Sequence, residues 1–206
     1  MLNMVFGGDG SRKYLTQDEK LKVLDLAARE APETYTFCLV LAVTGCRISE
    51  ALSLTLKSID LGSQCIVIES LKKRRRGIYR AVPAPRDLVK LIHKVHTGNI
   101  AHNEAPLWGW SRMTAWRKVS ALMHAAGIEG LQATARGFRH GFGVSAIHSG
   151  VPLNMVQKWM GHADISTTAI YTGAVGEEEL AIASRMWGTP PGSRRHRISR
   201  KPSLTL

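Results

Sequence analysis

Apolar residues recur at helical spacing along most of this chain and alternate in only one place. Thr16, with Glu19 three positions on, is a capping-box signature ahead of Leu21, Val23, Leu24 and Leu26, and predicts a helix from 17 to 30. Pro32 and Glu33 open a second, strongly apolar helix through Phe37, Leu39, Val40 and Leu41, which Gly45 stops. A third starts at once, over Ile48 to Leu54, so Arg47 falls in a tight helix–helix junction. The short run Cys65-Ile66-Val67-Ile68 and the alternating Ile78-Tyr79-Arg80-Ala81-Val82 flank the turn-like KKRRRG, which predicts a β-hairpin. Helical signals then return over 86–96, 113–126, 137–149, 153–160, 166–172 and 177–187, several of them marked by proline at the start or glycine past the end. The pattern predicts a mainly α domain with one small antiparallel β-sheet (α+β) over residues 14–187, a flexible lead over 1–13, and a basic, disordered tail over 188–206.

Composition narrows the setting. At 206 residues and 44% hydrophobic content the chain can bury the core of one domain. No stretch approaches 18 consecutive apolar residues, and the opening MLNMVFGGDGSRKY lacks the charged-then-apolar order of a secretory signal, so no membrane partner is expected and the setting reads as cytoplasmic. Cys38, Cys46 and Cys65 cannot all pair, and read as reduced thiols rather than a disulfide framework or a zinc site. The formal charge is +12, and a cationic surface of that size points to a polyanion, nucleic acid first. The charge is concentrated. Lys72, Lys73, Arg74, Arg75, Arg76, Arg80, Arg86 and Lys90 face one acid, Asp87, and Arg194, Arg195, Arg197, Arg200 and Lys201 follow Trp187 with no acid among them. The bland alternative for either run is a solvated face or a tail.

Four separated pieces carry candidate chemistry: Thr44-Gly45-Cys46-Arg47-Ile48-Ser49-Glu50, the Lys72/Lys73 pair, Arg136-Gly137-Phe138-Arg139-His140, and Gly161-His162 followed nine residues later by Tyr171. Singly each is ordinary: an arginine cap, a packed tyrosine, a Gly-His helix end. Together they match what transesterification at a phosphodiester needs. Two guanidiniums, Arg47 and Arg139, can hold the charge that builds on non-bridging oxygens without a metal. A lysine on the hairpin, Lys72, can protonate a leaving 5′ oxygen. Tyr171 can act as nucleophile, its phenol (pKa ~10) activated by surrounding cations that favour phenolate.

In order and type these parts resemble the catalytic domain of the tyrosine recombinase (phage-type integrase) family, over roughly residues 14 to 187. TGCRISEAL is similar to the family's T-G-x-R-x-x-E-L box, which makes Arg47 the first catalytic arginine and Glu50 the acid that buttresses it. Lys72 resembles the hairpin lysine, with Lys73 a close second because the loop leaves register open. Arg139 resembles the arginine of the H-x-x-R box with His140 following it, Gly161-His162 the L-G-H box with Met160 in place of leucine, and Tyr171 the nucleophile. The resemblance implies duplex DNA as substrate, a 3′-phosphotyrosyl intermediate, no cofactor, metal or ATP, and a homo-oligomer, a tetramer on paired sites. Lys73, Arg74, Arg75, Arg76, Arg80 and His140 are the expected DNA contacts. The alternatives are a non-cleaving DNA-binding regulator of the same fold or a type IB topoisomerase-like relaxer. Two departures stand out. Arg136 replaces the first histidine of H-x-x-R, and a guanidinium cannot act as a base, so Arg136 is expected to be catalytic through its charge, activating the phenol or gripping a phosphate oxygen; the alternative is a contact to the DNA backbone with no chemical role. The family's separate core-binding domain has no counterpart ahead of residue 14, which points either to a short recombinase relying on its basic hairpin, tail and partners, an accessory DNA-binding protein among them, or to a fragment or accessory form.

Overall fold

In a computed structural model of the chain, residues 5–71, 77–98 and 104–173 are described. Thr16 caps α1 (Gln17–Ala27) through the reciprocal Thr16–Glu19 capping box. Pro32 opens α2 (Pro32–Thr44), whose buried Phe37, Cys38, Val40 and Leu41 make it the central helix of the larger core. Gly45 ends α2 in the left-handed region at φ 58°, a conformation that costs a glycine little. That sharp stop leaves Arg47 as the N-cap of α3 (Ile48–Leu52).

The sheet has three antiparallel strands in the order β1 (Ile59–Asp60), β2 (Cys65–Glu69) and β3 (Tyr79–Pro83). The expected hairpin is β2–β3, in register from Cys65 opposite Pro83 to Glu69 opposite Tyr79. The added β1 strand is two residues long and too short to show alternation. Helices α4 (Arg86–His96), α5 (Arg112–Ala125), α6 (Ala135–His148) and α7 (Leu153–Met160) follow. A short α8 (Ser166–Ala169) runs into a 3-10 turn over Ile170–Gly173, where the sequence predicts one helix. The predicted 177–187 helix and the 188–206 tail lie outside the described residues.

Two apolar clusters organise the domain. The larger joins α1 to α6 and the sheet, and includes Phe37 packed edge-on to Trp108 with ring centroids 5.0 Å apart. Burying a side chain of Phe37's size contributes about 2–3 kcal/mol. The smaller gathers Val5, Tyr14, Val144, Val156, Met160 and Tyr171 around α6 and α7. Part of the N-terminal segment lies against it. Val5 is buried and its carbonyl accepts from the Lys13 amide at 2.8 Å, while Phe6 and Arg12 form an antiparallel bridge. Among the described residues no helix is long and apolar enough to cross a membrane.

Candidate active site

The site lies on the seam between the two clusters, and a buried arginine ties it together. Arg139, on α6, donates to the Gly45 carbonyl at 2.6 Å and to the Met160 carbonyl at 2.8 Å. These carbonyls sit at the C-terminal ends of α2 and α7, where unpaired oxygens and the helix dipole favour a cation. One guanidinium thus holds both loops that present Arg47 and His162. Burial, and then the charge of Arg47, bring the Arg139 pKa down to about 10, so it remains a cation at neutral pH.

Arg47 is the more open of the two expected catalytic arginines, with its side chain 27% exposed. Its Nη1 donates to Glu50 Oε1 at 2.8 Å, and its backbone amide donates to Glu50 Oε2 at 2.9 Å. Glu50 is fully buried and also accepts from Arg80 Nη2 at 2.6 Å. Burial alone pushes this carboxyl up, but the bonds and charge of Arg80, with those of Arg47, outweigh it and hold the pKa below the ordinary carboxylate value. Glu50 is therefore the anion that keeps Arg47 oriented while leaving part of its guanidinium facing out.

Arg80 corrects one sequence expectation. It was expected among the DNA contacts, yet it is buried, bound to Glu50, to Ser70 Oγ at 3.1 Å and to the Trp159 carbonyl at 2.8 Å. The alternation along β3 carries the reason. Arg80 and Val82 share the inward face, and Arg80 lies opposite Ile68 in the sheet. Its role is to fasten the hairpin to α3 and to the end of α7. The hairpin residues Lys72, Lys73, Arg74, Arg75 and Arg76 lie outside the described residues. The strands that lead to them flank a shallow cleft lined by Ser70, Tyr79, Asn154, Lys158 and His162.

Tyr171 is brought against both histidines. Its ring stacks on His162 with centroids 6.3 Å apart and planes 16° apart, and its hydroxyl lies 3.2 Å from His140 Nδ1. Gly143 makes room for it, since a Cβ there would sit 2.6 Å from the phenol ring. The phenol is 2% exposed, and burial pushes its pKa up to about 12 against the opposing fields of Arg139 and Arg47. This reverses the expectation that the surrounding cations leave the phenol primed, because desolvation of phenolate outweighs them. His162 Nδ1 is 2.9 Å from the hydroxyl of the fully buried Thr168, which fixes its ring. Burial first, then Arg139 and Arg47, drop the His162 pKa to about 3. Arg136 is exposed on the first turn of α6, four residues before His140.

Arg47, Arg139, His162 and Tyr171 are thus gathered from four parts of the chain. The partners Ser70, Thr168 and the carbonyls of Gly45, Trp159 and Met160 were not anticipated. Backbone acceptors leave no trace in side-chain pattern, and Thr168 looks like any threonine of a short helix.

The family model described as Phage integrase family matches residues 13–177. The chain is 27% identical over 169 residues to tyrosine recombinase XerA of Pyrococcus furiosus, covering 78% of this chain and 57% of the relative. It is 28% identical over 179 residues to tyrosine recombinase XerD of Mycobacterium tuberculosis, covering 78% and 56%. The chain therefore spans a little over half the length of these relatives. Among solved structures, XerA recombinase superposes with TM-score 0.73 at 25% identity over 84% of this chain and 64% of that one. The catalytic domain of bacteriophage HP1 integrase, at 20% identity, shares the fold with TM-score 0.61 over 82% of this chain and 93% of that one. The family match over residues 13–177 and the structural likeness establish that this chain belongs to the phage integrase family and carries the tyrosine recombinase catalytic-domain fold.

Proposed function

We propose that this chain cuts and rejoins duplex DNA as the catalytic domain of a site-specific recombinase. Tyr171 Oη attacks the scissile phosphorus, the P–O5′ bond breaks, and a 3′-phosphotyrosyl link and a free 5′-hydroxyl result. Arg47 and Arg139 hold the non-bridging oxygens as charge builds on them, and His162 donates a further hydrogen bond there. Lys72, or Lys73 if the loop register differs, gives its proton to the leaving oxygen. The phosphotyrosyl bond retains the phosphodiester's energy, so a second strand's 5′-hydroxyl reverses the step without nucleotide hydrolysis, metal or cofactor. The observation that carries this reading is the packing of Tyr171 against His162 and His140, within the fields of Arg139 and Arg47.

Support for a DNA substrate comes from the net charge of +12 and from proteins of the same fold solved with their substrates, XerH recombinase with its difH substrate and the Tn1549 transposon integrase with transposon right end DNA. Strand exchange between paired sites calls for a homo-oligomer, a tetramer in this reading, acting in the cytoplasm. An accessory DNA-binding protein is the proposed source of clamp contacts beyond this domain. Lys73, Arg74, Arg75 and Arg76 are proposed to grip DNA backbone.

The test is incubation with nicked duplexes of randomised sequence followed by denaturing electrophoresis. A protein–DNA adduct in wild type and none in Tyr171→Phe is expected; no adduct in wild type, or an equal one in the variant, would refute the assignment. A second reading, a DNA-binding protein of this fold that does not cut, is favoured by the exposed Arg136 in place of histidine and by the raised phenol pKa of about 12. It predicts DNA binding unaffected by Tyr171→Phe and no adduct under any condition.

A further inference from the structure

With Arg136 in the position where the family resemblance calls for a histidine, the site lacks the expected base, yet the phenol proton must leave as the P–O bond forms. A pKa of about 12 leaves roughly one phenolate in 10⁵ at neutral pH, so a transfer concerted with attack is the faster route. Two imidazoles touch Tyr171. His162 lies nearly parallel to the phenol ring, with planes 16° apart, and its Nδ1 is engaged by Thr168. Among the described residues, no His162 nitrogen makes a hydrogen bond to the phenol oxygen. His140 does: its Nδ1 is 3.2 Å from Tyr171 Oη, with ring planes tilted 57°.

We propose that His140, the residue after the second arginine, is the general base for Tyr171. The proposal rests on the recombinase reading above. In the forward step the Oη–H proton passes to His140 Nδ1 as the O–P bond forms and the P–O5′ bond breaks, with the leaving oxygen protonated from the hairpin lysine. In reversal the imidazolium returns its proton to Oη. His140 is not the phosphate contact expected from the sequence but a partner of the nucleophile, one helical turn along α6 from Arg136.

The surroundings make this base dependent on DNA. Arg136 and Arg139 on α6 and Lys13 of the N-terminal segment oppose a charge on His140, and neutral His162 and Tyr171 are its other titratable neighbours among the described residues. Burial and then these cations hold the His140 pKa down at about 4, so it is a neutral acceptor at pH 7. A bound phosphodiester supplies one negative charge, and the pentavalent transition state supplies a second. Both favour the imidazolium at the moment it forms. Without DNA, the same cations oppose the imidazolium with no phosphate charge to offset them.

The experiment uses the full chain and a duplex whose sequence is recovered from wild-type adduct, resynthesised with a 5′-bridging phosphorothiolate. The leaving sulfur needs no proton, so the phenol's proton transfer is isolated. His140→Ala and His140→Gln should form adduct 10²–10⁴-fold more slowly than wild type with DNA affinity within about twofold, and should lose the acid limb of the pH–rate profile. Lys72→Ala should be rescued by the same substrate. Rates equal to or above wild type in both His140 variants, as expected if the hydrogen bond only parks Tyr171, would overturn the proposal. Imidazole nitrogen NMR of the unbound chain tests the geometry apart from activity. His140 should be neutral at pH 7 with Nδ1 unprotonated and shifted by Tyr171→Phe; an Nδ1–H tautomer overturns the proposal alone. A wild-type chain forming no adduct on any sequence overturns the recombinase reading and this proposal with it.

Discussion

Glu50 has two arginine partners, and the geometry says they are unequal. The Arg80 side chain is 5% exposed and the Arg47 side chain 27%, each bound to one Glu50 oxygen, at 2.6 and 2.8 Å. Breaking a buried pair by removing one partner costs about 3–5 kcal/mol, since the remaining charge is left dry and uncompensated, whereas a partly exposed pair contributes about 1 kcal/mol or less. Glu50→Gln keeps the shape and removes the charge. It leaves the buried Arg80 cation with neutral acceptors, the Trp159 carbonyl, the Ser70 hydroxyl and at best an amide oxygen, among the described residues. The expected loss is about 3–4 kcal/mol, nearly all of it from Arg80. Urea unfolding, followed by two spectroscopic probes, reads this directly. In double-mutant cycles, Glu50→Gln with Arg80→Met should show a coupling of about 2–3 kcal/mol, and Glu50→Gln with Arg47→Ala under about 1 kcal/mol. A Glu50→Gln cost below 1 kcal/mol, or a larger coupling to Arg47 than to Arg80, would refute the claim that Arg80 is a structural clamp.

The remaining expectations are more compact. Gly143→Ala places a Cβ 2.6 Å from the Tyr171 ring, so it should cost about 1–3 kcal/mol of stability and slow adduct formation about 100-fold by displacing the nucleophile, as read by unfolding and single-turnover cleavage. His140 and His162 titrate near 4 and 3 in the folded chain against ~6.5 unfolded. The unfolded state then binds more protons below pH ~6.5, so stability is full above that pH and falls as pH drops toward 4, by roughly 1–2 kcal/mol per histidine after solvent screening. Glu50, also depressed, adds a loss in the same direction at lower pH. Urea midpoints at pH 7.5 and 5 check the sign, and His140→Gln should flatten the difference. Replacing Arg74, Arg75 and Arg76 by serine should reduce the log–log salt slope of DNA binding by about 2–3, measured by fluorescence anisotropy; an unchanged slope would remove them from the DNA contacts.

Much of this fold is legible where local chemistry decides it. Pro85 before Arg86 and Pro152 before Leu153 mark helix starts, Gly45 and Gly161 mark stops, and the observed α4 and α7 span the predicted 86–96 and 153–160. The two-residue β1 is not legible, because its partner strand rather than its own sequence defines it. Residues 5–13 read as a loose lead because they are glycine-rich and aperiodic, and nothing in that pattern announces the Phe6–Arg12 bridge or the burial of Val5 in the cluster around α6 and α7. The site divides in the same way. Its residue types are visible in the motifs, but the use of each arginine depends on which side of a strand or helix it occupies. Period-2 alternation already puts Arg80 with Val82 on one face, and that signal competes with the impression of one continuous basic run. The state of Tyr171 was not legible, because it depends on how much water the fold excludes from the phenol. Only the packed structure sets that balance against two guanidiniums.

The atom through which DNA is joined to protein is the decisive measurement. Wild-type adduct trapped on nicked duplex, digested and mapped by tandem mass spectrometry, should carry the nucleotide on the Tyr171 phenol, through a phosphate on the DNA 3′ end, with the released strand bearing a 5′-hydroxyl. A link at any other residue, or to a 5′ phosphate, would contradict it.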